Sequence, residues 1–335
     1  MRIICRIIKA AFQALLLGIP ATAFSQEFSV ATLNVDGLPD RVLFFKVNSD
    51  GPGKRYTPAI GSILLKGQYD FIGVQENFDF SEDLFSVLDT AYFHDEWQGG
   101  VRHGGTPFHP FLLRLETDGL NGFWKHGPVL LEDETAIKWK VSRGKVKHAN
   151  DGLVHKGFRR YDLILYESGR RFVVYNLHMD ASDDQEELTG ADLRDQKVRL
   201  KQWAQLRDHI LEHLDSRPII VMGDMNTFYT HDPVQELFFD SIAATGKAMA
   251  HDVFVELQCG GTFPAYREGP VAEGERDSWM AAGECLDKIL YINPVGGQAL
   301  EPLSYQVIKE SFLREDRTTP LGDHYPISAV FRFVP

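Results

Sequence analysis

Short apolar runs in this chain stop repeatedly on a residue able to bind a metal or move a proton, and that recurrence limits the folds open to it. Asn34 closes ATLN, Glu76 follows DFIGVQ, His178 ends VVYNLH, and Asp224 ends IIVMGD with Asn226 just beyond. Asp287 opens DKILYI, and the pair Asp323-His324 stands directly before PISAVFRF. Runs of this length, rich in Val, Ile and Leu and bounded by Gly, Pro, Asn and Asp, read as strands. A rigid sheet brings side chains at its strand ends to one pocket. Each residue alone has an ordinary reading: Asn34 or Asn226 as a turn residue, Glu76 as a charge at a helix N-terminus, Asp224 as an N-cap, His178 as a hydrogen-bonded core histidine. Their shared placement argues for one site.

Between these points the pattern alternates strand and helix. Strands are expected at Phe28 to Val35, Asp70 to Gln75, Thr135 to Lys140, Phe158 to Tyr166, Arg171 to Leu177, Pro218 to Asp224, Leu286 to Ile292 and Pro326 to Phe333, with Ser168-Gly169 as a hairpin turn. A helix fits Pro58 to Lys66, and a longer one fits Ala191 to Leu214, where Leu193, Leu200, Trp203, Leu206, Ile210 and Leu214 fall at helical spacing. The stretch from Phe93 to Leu131, rich in Gly, His and Pro, gives no clear pattern. No repeat, low-complexity tract or linker-like composition divides the chain after its N-terminus, so residues 26–335 are expected to form a single α/β sandwich domain.

The first 25 residues differ from the rest. Arg2, Arg6 and Lys9 precede the apolar run Ala10 to Ile19, and small residues follow at Ala21, Ala23 and Ser25. That is the pattern of a secretory signal peptide, with cleavage near Ser25 and a secreted or periplasmic product. Losing its three positive charges moves the formal net charge from −12 to −15. Such an acidic chain lacks the basic footprint for gripping a polyanion, so nucleic acid is a disfavoured partner, although a bound cation can reverse the local field. Cys5 leaves with the leader, and in an oxidising compartment the remaining Cys259 and Cys285 are expected to pair as a disulfide. No Cys or His spacing suggests zinc.

The residue types at the strand ends suit attack of water on a phosphate ester. Anionic ester oxygens repel a nucleophile, and a hard cation held by oxygen ligands can draw off that charge. Glu76 is the best candidate ligand, with Asn34 beside it. Water needs a base with a pKa near neutrality, and His324 fits; Asp287 can hold its tautomer. Asp224, Asn226 and His178 remain to orient water or stabilise charge on phosphorus. Lys156 is a candidate phosphate contact, set against the common role of a lysine as solvated surface charge.

The ordered segments TLNVDGLP, VQENFD, HKGF (His155 to Phe158), NLHMDA, GDMN, LDKIL and GDHYP together resemble the endonuclease/exonuclease/phosphatase superfamily, the DNase I-like fold. The resemblance implies a four-layer α-β-β-α sandwich and dependence on Mg²⁺, with Mn²⁺ or Co²⁺ as alternatives. It also implies site roles for Asn34, Glu76, His178, Asp224, Asn226, Asp287, Asp323 and His324, with Asp323 placed among the metal ligands. Gly322 departs from it, since the family usually has Ser before Asp-His. Within the superfamily, NLHMDA, HKGF and DHYP are most similar to the secreted neutral sphingomyelinase branch, which implies a phosphodiesterase that releases a phosphorylated head group from a phospholipid; a monomer is expected. The alternatives are a secreted nuclease, a phosphatase acting on soluble or inositol phosphates, and a binding module on a dead scaffold. The last is disfavoured because every expected acid and base is present.

Val42 to Val47 (VLFFKV), after Asn34, offers apolar side chains for membrane-surface contact, although such a run is more commonly a buried strand. GPGKR at Gly51 to Arg55 lacks Walker A spacing and reads as a loop, and His94, His103, His109 and His126 form no ligand set.

Overall fold

A computed structural model describes residues 27–38, 41–42, 45–46, 51–95, 101–102, 114–115, 117–142, 156–181, 192–267 and 284–334. Residues 1–26, where a signal peptide is expected, and His103, His109 and His155 lie outside these. In chain order the main strands are β1 (Glu27–Asn34), β2 (Phe71–Gln75), β3 (Tyr92–His94), β4 (Asn121–Lys125), β5 (Val129–Lys138), β6 (Gly157–Leu165), β7 (Arg170–His178), β8 (Ile219–Asp224), β9 (Ala248–Asp252), β10 (Asp287–Pro294), β11 (Ala299–Val307) and β12 (Ile327–Val334). The helices used below are α1 (Gly53–Gly67), α2 (Ser81–Leu88), α3 (Asp192–Glu212) and α4 (Val253–Gln258). The strands make two six-stranded sheets, ordered β11-β12-β1-β2-β4-β3 and β9-β10-β8-β7-β6-β5.

Side-chain parity decides how the layers stack. Alternate residues of a strand point to opposite faces. From β1, Phe28 and Val30 join Phe71 of β2 and Val174, Ile220 and Met222 of β7 and β8 in a core between the sheets. The opposite parity, Ala31, Leu33, Ile72 and Val74, packs under α1 and α2 with Ile60, Leu64, Leu84 and Leu88. On the far side, Val173, Tyr175, Ile219 and Val221 meet Trp203, Leu206 and Ile210 of α3. Burying each such side chain contributes roughly 1.5–3 kcal/mol. The result is the expected four-layer arrangement.

Strand direction then explains a detail of the sequence. β1 and β2 run parallel, as do β7 and β8, while β12 and β10 run antiparallel to their neighbours β1 and β8. The carboxyl ends of the parallel strands therefore lie beside the amino ends of the antiparallel ones. This is why Asn34, His178 and Asp224 end strands whereas Asp287 begins one and His324 precedes one.

Several expectations need correction. Cys259 and Cys285 are free thiols, and no bridge joins them. Cys259 packs against the α3 side of the second sheet, while Cys285 packs against the core between the sheets and turns its Sγ to the carbonyl oxygen of Asp287 at 3.1 Å. Burial pushes the Cys285 thiol up to about 12. α1 begins at Gly53, before Pro58, and takes in Gly53, Lys54 and Arg55 of GPGKR, so most of that segment is helix and not loop. Of VLFFKV, only Val42, Phe45 and Lys46 lie among the described residues, and there Arg41–Val42 pairs with Phe45–Lys46 as a two-stranded ribbon separate from the large sheets. The unreadable region holds β4, and Leu193, at helical spacing in α3, is exposed. No helix among the described residues is long and apolar enough to cross a membrane.

Candidate active site

Register brings the site residues together. Asn34 is the partner of Gln75, which places Glu76 just past it; His178 is the partner of Asp224, and Asp224 is the partner of Asp287. Gly223 permits the sharp exit of β8, since its φ is +136° and a Cβ there would lie 2.1 Å from the Leu177 carbonyl oxygen.

Asp224, nearly fully buried, is the hub. Its Oδ2 accepts the Asn34 amide Nδ2 at 3.0 Å and lies 3.3 Å from His178 Nε2 and 3.7 Å from His324 Nε2. Its Oδ1 accepts the backbone N–H of Asn226 at 2.9 Å. Asn34 Nδ2 also donates to Glu76 Oε1 at 3.2 Å, and His178 Nε2 stands 3.7 Å from that same oxygen. The bond from Asn34 to Asp224 joins the two sheets, so the site forms where their ends meet. Glu76 and Asn226 both hold a left-handed backbone, with φ of 55° and 47°. Such conformations are uncommon outside glycine and cluster at functional sites.

His324 pairs with Asp287, its Nδ1 lying 2.6 Å from Oδ2. Burial works against charge on this ring, but Asp287 and then Asp224 outweigh it and hold the histidine well above its ordinary range. Burial would also raise Asp224; the rings of His324 and His178 and the Asn34 amide overcome it and keep that carboxyl low. Asp287 moves the other way, because burial exceeds the help it gets from His324. Asp323 is exposed at the mouth, within electrostatic reach of His324, Glu76 and Asp224.

Lys156 and Asn226 share one acceptor. Lys156 Nζ donates to the Met179 carbonyl oxygen at 3.1 Å and Asn226 Nδ2 to the same oxygen at 3.0 Å. The lysine is buried, which disposes of the solvated-surface reading. Residue 322 has room for a side chain, since an added Cβ would meet only Asp36 Cβ at 3.7 Å. His94 stacks on Phe85, and the His126 ring lies tilted at 54° to Phe93; neither ring takes part in the hydrogen bonds and ion pairs that join this cluster.

The donor set suits a hard cation. Oxygen atoms of buried carboxylates converge, and Asp287 Oδ1 is buried without a hydrogen-bond partner among the described residues. Ligand atoms of Asp224, Asp287 and His324 fall within 4.8 Å of one another, and Glu76 joins this group through Asn34 and His178. Sequence reasoning passed over residues that brace the site. Trp139 Nε1 donates to the His178 carbonyl oxygen at 2.7 Å, and Gln75 and Asn176 lie buried between the sheets. The available signal for the last two was a polar side chain at an inward position of an apolar strand.

No family model and no curated protein matches the chain. Solved structures do. TDP2 of D. rerio, complexed with a single-strand DNA product, is 14% identical with a TM-score of 0.58, over 91% of this chain and 99% of that one. An endonuclease/exonuclease/phosphatase family protein of Bacteroides thetaiotaomicron is 16% identical with a TM-score of 0.57, over 92% and 98%. A mannosyl-6-phosphatase of the same bacterium is 16% identical with a TM-score of 0.55, over 92% and 100%. At such identities the likeness is one of fold, and the fold is the DNase I-like sandwich of the endonuclease/exonuclease/phosphatase proteins.

Proposed function

We propose that this chain is an exported phosphoester hydrolase that uses a divalent cation, Mg²⁺ first, to direct water at phosphorus. The observation that carries the reading is the meeting of Glu76, Asp224, Asp287, His178 and His324 at one junction of the two sheets, each on a different strand end. Mutually facing, perturbed ionisable groups gathered at the converging ends of strands are the arrangement found at functional sites.

Glu76, with Asn34 and Asp323 beside it, would hold the cation, which supplies charge withdrawal at the ester and offsets the carboxylate field acting on His324. The protein's own groups do the rest. Asp287 accepts Nδ1–H of His324 and so leaves Nε2 facing the site, 3.7 Å from Asp224. That distance is too long for a hydrogen bond, so Nε2 is available to a water proton. His178 and the Asn226 amide would stabilise charge that develops on the phosphoryl oxygens. Lys156 adds a positive charge beside Asn226.

Among esters, the first choice is a phospholipid cleaved to a phosphorylated head group in the manner of a sphingomyelinase C. Support comes from the NLHMDA, HKGF and DHYP segments and from the acidic net charge of −12, which disfavours a long polyanion. The second choice is a phosphomonoester, since a mannosyl-6-phosphatase shares the fold. A panel of sphingomyelin and glycerophospholipid vesicles, sugar and inositol phosphates and plasmid DNA, each with and without EDTA, separates these. Release of phosphocholine from sphingomyelin, abolished by EDTA, is expected. Free phosphate from soluble esters alone would overturn the lipid assignment, and no hydrolysis of any ester would overturn the enzyme.

A further inference from the structure

We infer that Gln75 and Asn176 form a tie between the two sheets, and that this tie sets the position of Glu76 relative to His178 and Asp224. Gln75 belongs to β2 and directly precedes Glu76; Asn176 belongs to β7, two residues before His178 on the same face. Gln75 Nε2 donates to Asn176 Oδ1 at 2.6 Å and to Thr32 Oγ1 at 2.9 Å. Asn176 Nδ2 in turn donates to the carbonyl oxygens of Val74 at 3.0 Å and Asn121 at 3.1 Å. Every amide hydrogen of the pair is thereby used, and Asn176 is gripped by two strands of the sheet it faces. Both side chains are fully buried.

The space for this contact is made by a missing atom. A Cβ on Gly73 would lie 2.9 Å from Asn176 Cγ and 2.8 Å from Met222 Cε, so any side chain there would drive the amide out. Elsewhere this interface is filled by Phe28, Phe71, Val174, Ile220 and Met222, whose packing is non-directional. Such contacts carry no directional preference; a saturated hydrogen-bond pair next to the site adds one, since its bonds weaken steeply when bent. Groups that orient a metal ligand without touching the metal typically change its affinity by about 10- to 100-fold when lost. Gln75 and Asn176 are therefore positioning residues.

The inference rests on the hydrolase reading for its purpose, and one experiment judges the two separately. Gln75→Met preserves shape; it leaves Asn176 Oδ1 without its donor but also removes Gln75 Oε1, a buried acceptor with no partner among the described residues, so its melting temperature should fall by a few degrees at most and the protein should stay folded. Mn²⁺ binding, followed by electron paramagnetic resonance, should nonetheless weaken by about tenfold or more. Hydrogen exchange, measured without metal, should quicken by about tenfold at the Asn77 and Met179 amides, which bond to Gly119 and Asp224 at the two ends of the tie. The double variant Gln75→Met/Asn176→Leu should weaken binding no further than the worse single one, as members of one unit do. Should Gln75→Met fail to fold, Thr32→Val, which frees Gln75 from its other anchor, should move both readouts the same way. Unchanged Mn²⁺ affinity in a cation-binding protein overturns the tie, and so does unchanged exchange at both amides. A parent that binds no Mn²⁺ overturns the cation reading instead, and the exchange rates still decide the tie.

Discussion

Asp224 and Asp287 face each other as register partners on neighbouring antiparallel strands, and the His324 ring lies by both, 2.6 Å from Asp287 Oδ2 and 3.7 Å from Asp224 Oδ2. Like charges directly opposite in a sheet are destabilising. The His324 ring, with the His178 ring and the Asn34 amide beside Asp224, offsets them.

A divalent cation should then stabilise the fold. One that binds only the native state contributes about 2.7 kcal/mol at a concentration of about 100 Kd. Scanning calorimetry should show the melting temperature rising by several degrees with Mg²⁺ and falling back with EDTA. A transition indifferent to both would remove the cation from the account.

His324→Ala should leave a folded protein that scarcely turns over. General base catalysis contributes about 10² to 10⁴ in rate, and kcat on whichever ester the parent hydrolyses should drop within that span. A loss of only severalfold would take the role of base away from this ring. Because the variant also removes the ring that lies by both Asp224 and Asp287, its melting temperature should gain more from Mg²⁺ than the parent's does.

The left-handed backbones of Glu76 and Asn226 should trade stability for function. Residues other than glycine at such φ values carry strain of roughly 1–3 kcal/mol, which glycine relieves. Part of that gain is lost to the extra freedom glycine brings to the unfolded chain, about 0.4–1 kcal/mol. Glu76→Gly and Asn226→Gly should therefore be as stable as the parent in EDTA or more so by about 1 kcal/mol in urea unfolding. Both should lose activity. A clear drop in stability would mean that these residues hold the local fold together rather than bear its strain.

The parts that could be read from the chain were those in which a physical need leaves a local mark. An apolar run ending in Asn34, Glu76, His178 or Asp224 shows both the strand and its chemical end, and Trp203, Leu206 and Ile210 show a helix face. What could not be read depends on pairing at a distance. β4 carries Gly122 opposite Gly73, and its identity as a strand comes from neighbours distant in sequence. Asn176 reads as one more polar residue in NLHMDA until the opposing sheet brings Gln75 to it. The Cys259–Cys285 pairing failed for a related reason: an even count says nothing about which side of a sheet each sulfur faces.

Glu134 should make stability fall as pH rises through neutrality. Its Oε1 lies 3.1 Å from Arg159 Nη1, but that guanidinium also serves Asp95 at 2.9 Å and Asp118 at 2.9 Å. Burial, and then the Asp95 charge, outweigh this shared cation and push Glu134 up from 4.5 to about 7. The folded protein thus holds the proton more tightly than the unfolded chain. Its contribution is complete below the unfolded value of 4.5 and is lost as pH climbs through about 7. Glu134→Gln keeps an acceptor for Arg159 and never ionises, so it should match the parent at the acid end of that window and exceed it above the window. Urea unfolding of both proteins across this range tests it. Parallel stability curves would show that Arg159 suffices to keep Glu134 ionised throughout, and that the carboxylates around it do not compete for its charge.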